Sequence, residues 1–172
     1  MKNAILALAA LMVTAATYGQ GTVVFNNRNP TFGIDARIFL GTEPISDASF
    51  KAQIYAGPEG TAVGSLKAVP GTTSFRTGNS AGYLNPIPLQ VPGIAGGAKA
   101  TLVMRVYNGA SFESSSIFGT SNPITITLGA AGTPPGPGAE LIGLQGFTII
   151  PEPSTIALGI LGAAILLLRR RR

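Results

Sequence analysis

The stretch Ala100-Thr101-Leu102-Val103-Met104-Arg105-Val106-Tyr107-Asn108-Gly109 decides the fold class. Ala100, Leu102, Met104 and Val106 take every second position, with Thr101, Val103, Arg105 and Tyr107 between them. Side chains of an extended chain alternate between two faces, so this is a strand with one wholly apolar face. A helix would scatter the same residues around its axis. Asn108-Gly109 joins two residues that tolerate positive φ, which predicts a tight hairpin turn directly behind the strand. Gly96-Gly97 predicts a turn ahead of it.

The same alternation recurs on either side. In residues 34–40, Ile34, Ala36, Ile38 and Leu40 share one face, and Asp35, Arg37 and Phe39 share the other. In residues 50–56, Phe50, Ala52, Ile54 and Ala56 oppose Lys51, Gln53 and Tyr55. Ile124, Ile126 and Leu128 alternate with Thr125 and Thr127. Shorter candidate strands are residues 22–26, 65–69, 73–76, 88–91 and 147–150. Turn residues such as Gly57-Pro58-Glu59-Gly60 separate them. The middle of the chain shows no helical stripe, and 23 glycines with 13 prolines argue against helices. The pattern predicts an all-β domain, a single antiparallel β-sandwich of jelly-roll or immunoglobulin-like topology. Residues 129–140, with Thr133-Pro134-Pro135-Gly136-Pro137-Gly138, read as a loop that crosses the end of the domain before a last strand. A flexible stalk beyond Gly129 is the competing reading.

The net charge of +5 misdescribes this domain. Lys2 and four terminal arginines hold five of the twelve basic residues, which leaves seven bases against six acids in residues 20–150. A nearly neutral domain with scattered charges has no electrostatic footprint for nucleic acid. There is no cysteine, so stability comes from packing without disulfides. There is also no histidine. That excludes serine–histidine and cysteine–histidine nucleophiles and the usual zinc sites, and no phosphate-binding loop is present.

Both ends read as addresses. Lys2, the uncharged run from Ala4 to Val13 and the small residues after it follow the order of a secretory signal peptide, residues 1–19, with cleavage after Gly19 or Ala16. Residues 156–168 form an uncharged apolar run of thirteen, flanked by Arg169, Arg170, Arg171 and Arg172. As a helix the run covers roughly 20 Å at about 1.5 Å per residue, against a bilayer core of about 30 Å. Ser154 and Thr155 extend it into a short transmembrane helix over residues 154–168, and the arginine stems snorkel toward headgroups. Four arginines keep that end in the cytoplasm, so the domain between the two ends lies outside.

Residues 151–172 resemble the PEP-CTERM sorting signal of Gram-negative bacteria. The resemblance rests on Pro151, Glu152, Pro153 and Ser154, then the apolar run, then the arginine tail 169–172, and covers 22 of 172 residues. It implies an exosortase-type membrane processing enzyme as partner, transient residence in the inner membrane, and removal of the tail near Pro-Glu-Pro. It also implies final residence at the cell surface or outside the cell, in a setting of exopolysaccharide and biofilm.

Two constellations in the domain carry chemistry. Asp35, Glu43 and Asp47 can form an acid/base pair or part of a calcium site, or simply solvate a loop. Asn26, Asn27 and Asn29 can add oxygens to such a site, or bond the turn beside Pro30. The second is an aromatic strip. Arg37 with Phe39, Gln53 with Tyr55, and Arg105 with Tyr107 each place a polar residue and a ring two positions apart, opposite the small apolar residues. If the three strands are neighbours, rings and donors line up to contact a glycan; the alternative is cross-strand aromatic packing under a covering loop. No catalytic, cofactor or metal residue is assigned, and the expectation is a non-enzymatic surface protein.

Overall fold

The computed structural model describes residues 19–130 and 137–150. The expected signal peptide (1–19, all but its last residue), transmembrane helix and arginine tail lie outside these residues. Among the described residues no helix is long and apolar enough to cross a membrane.

Among the described residues thirteen strands follow in chain order: β1 (Gln20–Phe25), β2 (Arg28–Asn29), β3 (Ile34–Asp35), β4 (Ile38–Leu40), β5 (Glu43–Pro44), β6 (Lys51–Pro58), β7 (Lys67–Ala68), β8 (Thr73–Ser74), β9 (Ile87–Ala95), β10 (Lys99–Tyr107), β11 (Phe118–Thr120), β12 (Ile124–Thr127) and β13 (Phe147–Ile149). The fold is all-β and mainly antiparallel, with helix limited to three short 3-10 turns among the described residues. β10 is the central strand. It pairs β6 along one edge, and β12 then β11 along the other. β7 and β8 pair the outer edge of β6. β1 pairs β9, and β2 pairs β3.

The apolar face of β10 meets that of β6 in register, Leu102 opposite Ala56, Met104 opposite Ile54 and Val106 opposite Ala52. These side chains join Val23 and Phe25 of β1, Ile38 of β4, Val91 of β9, and Leu141 and Ile149 in one core. β9 and β10 are consecutive but pair with different strands, so the turn at Gly97 (φ 81°) carries the chain from one sheet to another.

Three expectations change on contact with the structure. Residues 34–40 form two strands rather than one. β3 pairs β2, whereas β4 pairs β5 and β13, because the backbone between them is claimed by other partners: Ala36 N–H donates to Asn27 O (2.9 Å) and Ile38 N–H to Gly82 O (3.1 Å). The facing nevertheless persists across the break, with Ile34, Ala36 and Ile38 buried and Asp35 exposed. Asn108-Gly109 is not a tight hairpin. The chain runs through residues 108–117 before β11, and Asn108 bonds Ile117 through both its N–H (3.2 Å) and its side-chain oxygen (3.2 Å). The last strand is parallel to its partner, with Phe147, Thr148 and Ile149 beside Ile38, Phe39 and Leu40.

The stalk reading also fails for the described residues beyond Gly129. Gly129 exchanges hydrogen bonds with Thr22 (3.0 and 2.9 Å), and Ala139 bonds Thr22 and Val24 (3.0 and 2.9 Å). Leu141, Leu144 and Ile149 are 0%, 6% and 1% exposed. The docking demands a glycine at 146, because a Cβ there would run into the Arg37 carbonyl oxygen.

Candidate functional site

The six strip residues fall into two places. Gln53, Tyr55, Arg105 and Tyr107 share the face of β6 and β10 that points away from the core. Arg105 stands directly opposite Gln53, and Tyr55 opposite Val103. This half is covered. Phe112, from the connection between β10 and β11, lies over it with its ring centroid 6.0 Å from Tyr55, 6.3 Å from Tyr107 and 5.0 Å from Phe118. Tyr55 and Tyr107 keep 5% and 2% of their surface exposed. The Arg105 guanidinium sits 4.0 Å from the Tyr55 ring centre and 4.4 Å from that of Phe112, an arrangement in which two rings flank one cation.

Hydrogen bonds tie the patch together. Tyr107 donates its hydroxyl to Gln53 Oε1 (3.0 Å), and Gln53 Nε2 donates to Val69 O (3.0 Å). Tyr55 donates to Glu113 Oε1 at 3.2 Å, which fastens the covering loop to the strand below. Cross-strand packing under a loop therefore describes this half, and neither the Tyr55 nor the Tyr107 ring is presented to solvent for stacking. Phe112, the only large apolar residue within the stretch Ala110-Ser111-Phe112-Glu113-Ser114-Ser115-Ser116, was the signal for that cover.

The other half is open. Asp35, Arg37, Phe39 and Thr148 line a shallow cleft of about 310 Å³ together with Gly146 and Phe147. Arg37 Nε donates to Ala81 O at 2.8 Å. Its guanidinium lies 5.4 Å from the Tyr83 ring centre and 5.9 Å from that of Phe39. Arg28 approaches the same Tyr83 ring at 4.8 Å. Tyr83, which the strip reading did not include, donates its hydroxyl to Asp35 Oδ1 at 2.5 Å.

The carboxylates do not assemble. Asp35 belongs to the cleft, Glu43 lies on β5, and Asp47 accepts from the Ser49 N–H (2.8 Å) in the following loop. Among the described residues no group of three or more acids, histidines or cysteines is placed to hold a metal. Asn26 bonds the turn as expected, accepting from Arg28 N–H at 3.1 Å. Asn27 is instead wholly buried and bridges distant backbone.

Three of the four tyrosines have hydroxyls that resist ionisation. Burial, then the Glu113 charge, raises Tyr55 and Tyr107 above the usual value. The hydrogen bond to Asp35, then burial, raises Tyr83. Glu113 is lowered, first by its own backbone N–H and then by Ser111, Tyr55 and Arg105. For the tyrosines the folded value lies above the unfolded one of about 10. Their contribution to stability is complete below that pH and is lost as pH rises through the folded values. An alkaline titration followed by tyrosinate absorbance should show these three ionising late and together with unfolding. Independent, early ionisation of all the tyrosines in a folded chain would contradict the burial.

No family model matches the chain, and no curated protein or solved structure matches it, so what this surface does must be read from its own chemistry.

Proposed function

We propose that this chain is an exported, non-enzymatic protein of structural or adhesive type, delivered to the cell surface or extracellular matrix. Its PEP-CTERM tail would be recognised and trimmed by an exosortase-type enzyme after transient residence in the inner membrane. The observation that carries the reading is the order Pro151-Glu152-Pro153-Ser154, apolar run and four arginines. The shape of the body supports it. Ile149 is 1% exposed and Ile150 is 74% exposed, so the described core ends just before the Pro-Glu-Pro and a cut there would remove none of its residues. For the body itself we infer a β-sandwich, with the β1–β9 pair facing the β6–β10 sheet across the shared core. No nucleic-acid partner and no cofactor enters the proposal.

Mass spectrometry of the native protein from envelope and medium tests it. The expected product starts near Gln20 and lacks Arg169, Arg170, Arg171 and Arg172. An intact arginine tail in the mature pool would contradict processing.

A second reading has one observation in its favour. The cleft beside Arg37 and Phe39 is open and combines a ring with polar groups, which suits a polysaccharide-binding module. Of the six strip residues it retains only these two as contacts.

A further inference from the structure

We propose that the Asp35–Arg37–Phe39 cleft is a subsite for a sugar unit bearing a carboxylate, as in a uronic-acid polysaccharide. The assignment rests on the saccharide-binding reading of this face and gives it a substrate class. Its basis is what the cleft offers and what its groups leave unused.

Arg37 is held but not satisfied. Its Nε–H is taken by Ala81 O, which fixes the plane of the guanidinium, and Tyr83, only 7% exposed, backs it as a rigid base. The two terminal nitrogens have no hydrogen-bond partner among the described residues. Among the described residues no carboxylate reaches salt-bridge distance of Arg37 or Arg28, and the ion pair is Lys99–Glu59. A guanidinium fixed at Nε presents its terminal N–H groups as a two-pronged donor, the geometry that a carboxylate fills. Arg28 on the same tyrosine adds a second positive charge. Two cations against Asp35 leave the surface net positive, in a domain that is otherwise close to neutral.

The remaining groups suit a sugar ring rather than a bare anion. Phe39 is half-buried beside Arg37, a flat apolar surface on which the C–H face of a pyranose can lie. Thr148 stands next to Phe39 in the parallel register and supplies a hydroxyl. Asp35 uses one oxygen for Tyr83 and keeps its other lone pairs for sugar hydroxyls, which need an acceptor as well as a donor. The cleft volume of about 310 Å³ lies at the small end of the range of roughly 300–1,000 Å³ for ligand sites, room for one sugar unit of a longer chain.

Calorimetric titration of the full-length chain, in a detergent without a sugar headgroup and at low salt, tests this directly. The probes are an oligogalacturonate and a neutral galacto-oligosaccharide of the same length. The acidic sugar should bind at least about tenfold more tightly, a difference of about 1.4 kcal/mol. Arg37→Gln should abolish that preference, and Arg37→Lys should not restore it, because an ammonium lacks the fork. Arg28→Gln leaves the Ala81 bond untouched and should weaken the acidic sugar alone, so the proposal stays testable if the Arg37 variants fail to fold. Phe39→Ala should weaken both sugars. Equal affinity for the two probes, unchanged in Arg37→Gln, would overturn the carboxylate subsite while leaving saccharide binding standing. Binding of neither probe would overturn both.

Discussion

A chain ended after Ile142 is expected to lose its cooperative unfolding transition, whereas one ended after Ile150 keeps it. The shorter chain lacks β13, together with Leu144 and Ile149, which are 6% and 1% exposed. Truncating a buried leucine or isoleucine to alanine costs about 2–5 kcal/mol, and here the backbone goes as well. Removing β13 also bares the edge of β4, and with it the Ile38, Phe39 and Leu40 positions that β13 pairs. The combined loss rivals the whole stability of an ordinary domain, about 5–15 kcal/mol. Urea unfolding followed by circular dichroism would show it. An unchanged midpoint for the shorter chain would mean that residues 143–150 are only a tether. The contrast bears on the proposed trimming, since a cut at the Pro-Glu-Pro would leave β13 and its buried residues in place.

Asn27→Leu should destabilise the protein by about 3–5 kcal/mol, as large an effect as any single polar substitution here. Asn27 is wholly buried and bonds three backbone groups on two segments. Its Nδ2 donates to Ala36 O (2.7 Å) and Gly82 O (3.0 Å), and its Oδ1 accepts from Leu84 N–H (2.8 Å). Leucine has nearly the same size but answers none of them. Gly82 O retains Ile38 N–H, so the main penalties fall on Leu84 N–H and Ala36 O. Gly82 is itself constrained, at φ 82° and with a Cβ position 2.7 Å from Ile38 O, so the segment cannot shift to find other partners. Asn27→Asp keeps the acceptor but sets a carboxylate against two carbonyls. That raises the folded pKa of the new acid above its unfolded value of about 4. Stability would then be greatest below that value and fall as pH rises through the folded pKa. A chemical-denaturation series across acid pH reads both variants, and a midpoint for Asn27→Leu within error of the parent would remove Asn27 from its structural role.

The aromatic strip shows where reading a sequence stops. Which face Arg37, Tyr55 or Tyr107 occupies was visible, because each stands one position from a core-facing residue and successive side chains of a strand point to opposite faces. Whether that face meets solvent was not. Phe112 covers Tyr55 and Tyr107 from a serine-rich loop that carries no period, and Tyr83 reaches Asp35 from 48 residues away. Asn27 looked like a turn residue for the same reason: its partners at Gly82 and Leu84 lie 55 and 57 positions off.

The amino-acid sequence by itself determined that the middle of this chain is strand, which side chains look inward, and where the apolar and basic runs at the two ends lie. Those properties are local, set by the two-residue repeat of an extended backbone and by charge and apolarity along a short run. Tertiary structure alone decided the partners. It split residues 34–40 between two neighbours, laid β13 parallel to β4, buried one half of the strip and left the other half open. Such choices depend on which distant backbone donors and acceptors become available once the core has closed, and no short window of sequence holds that information.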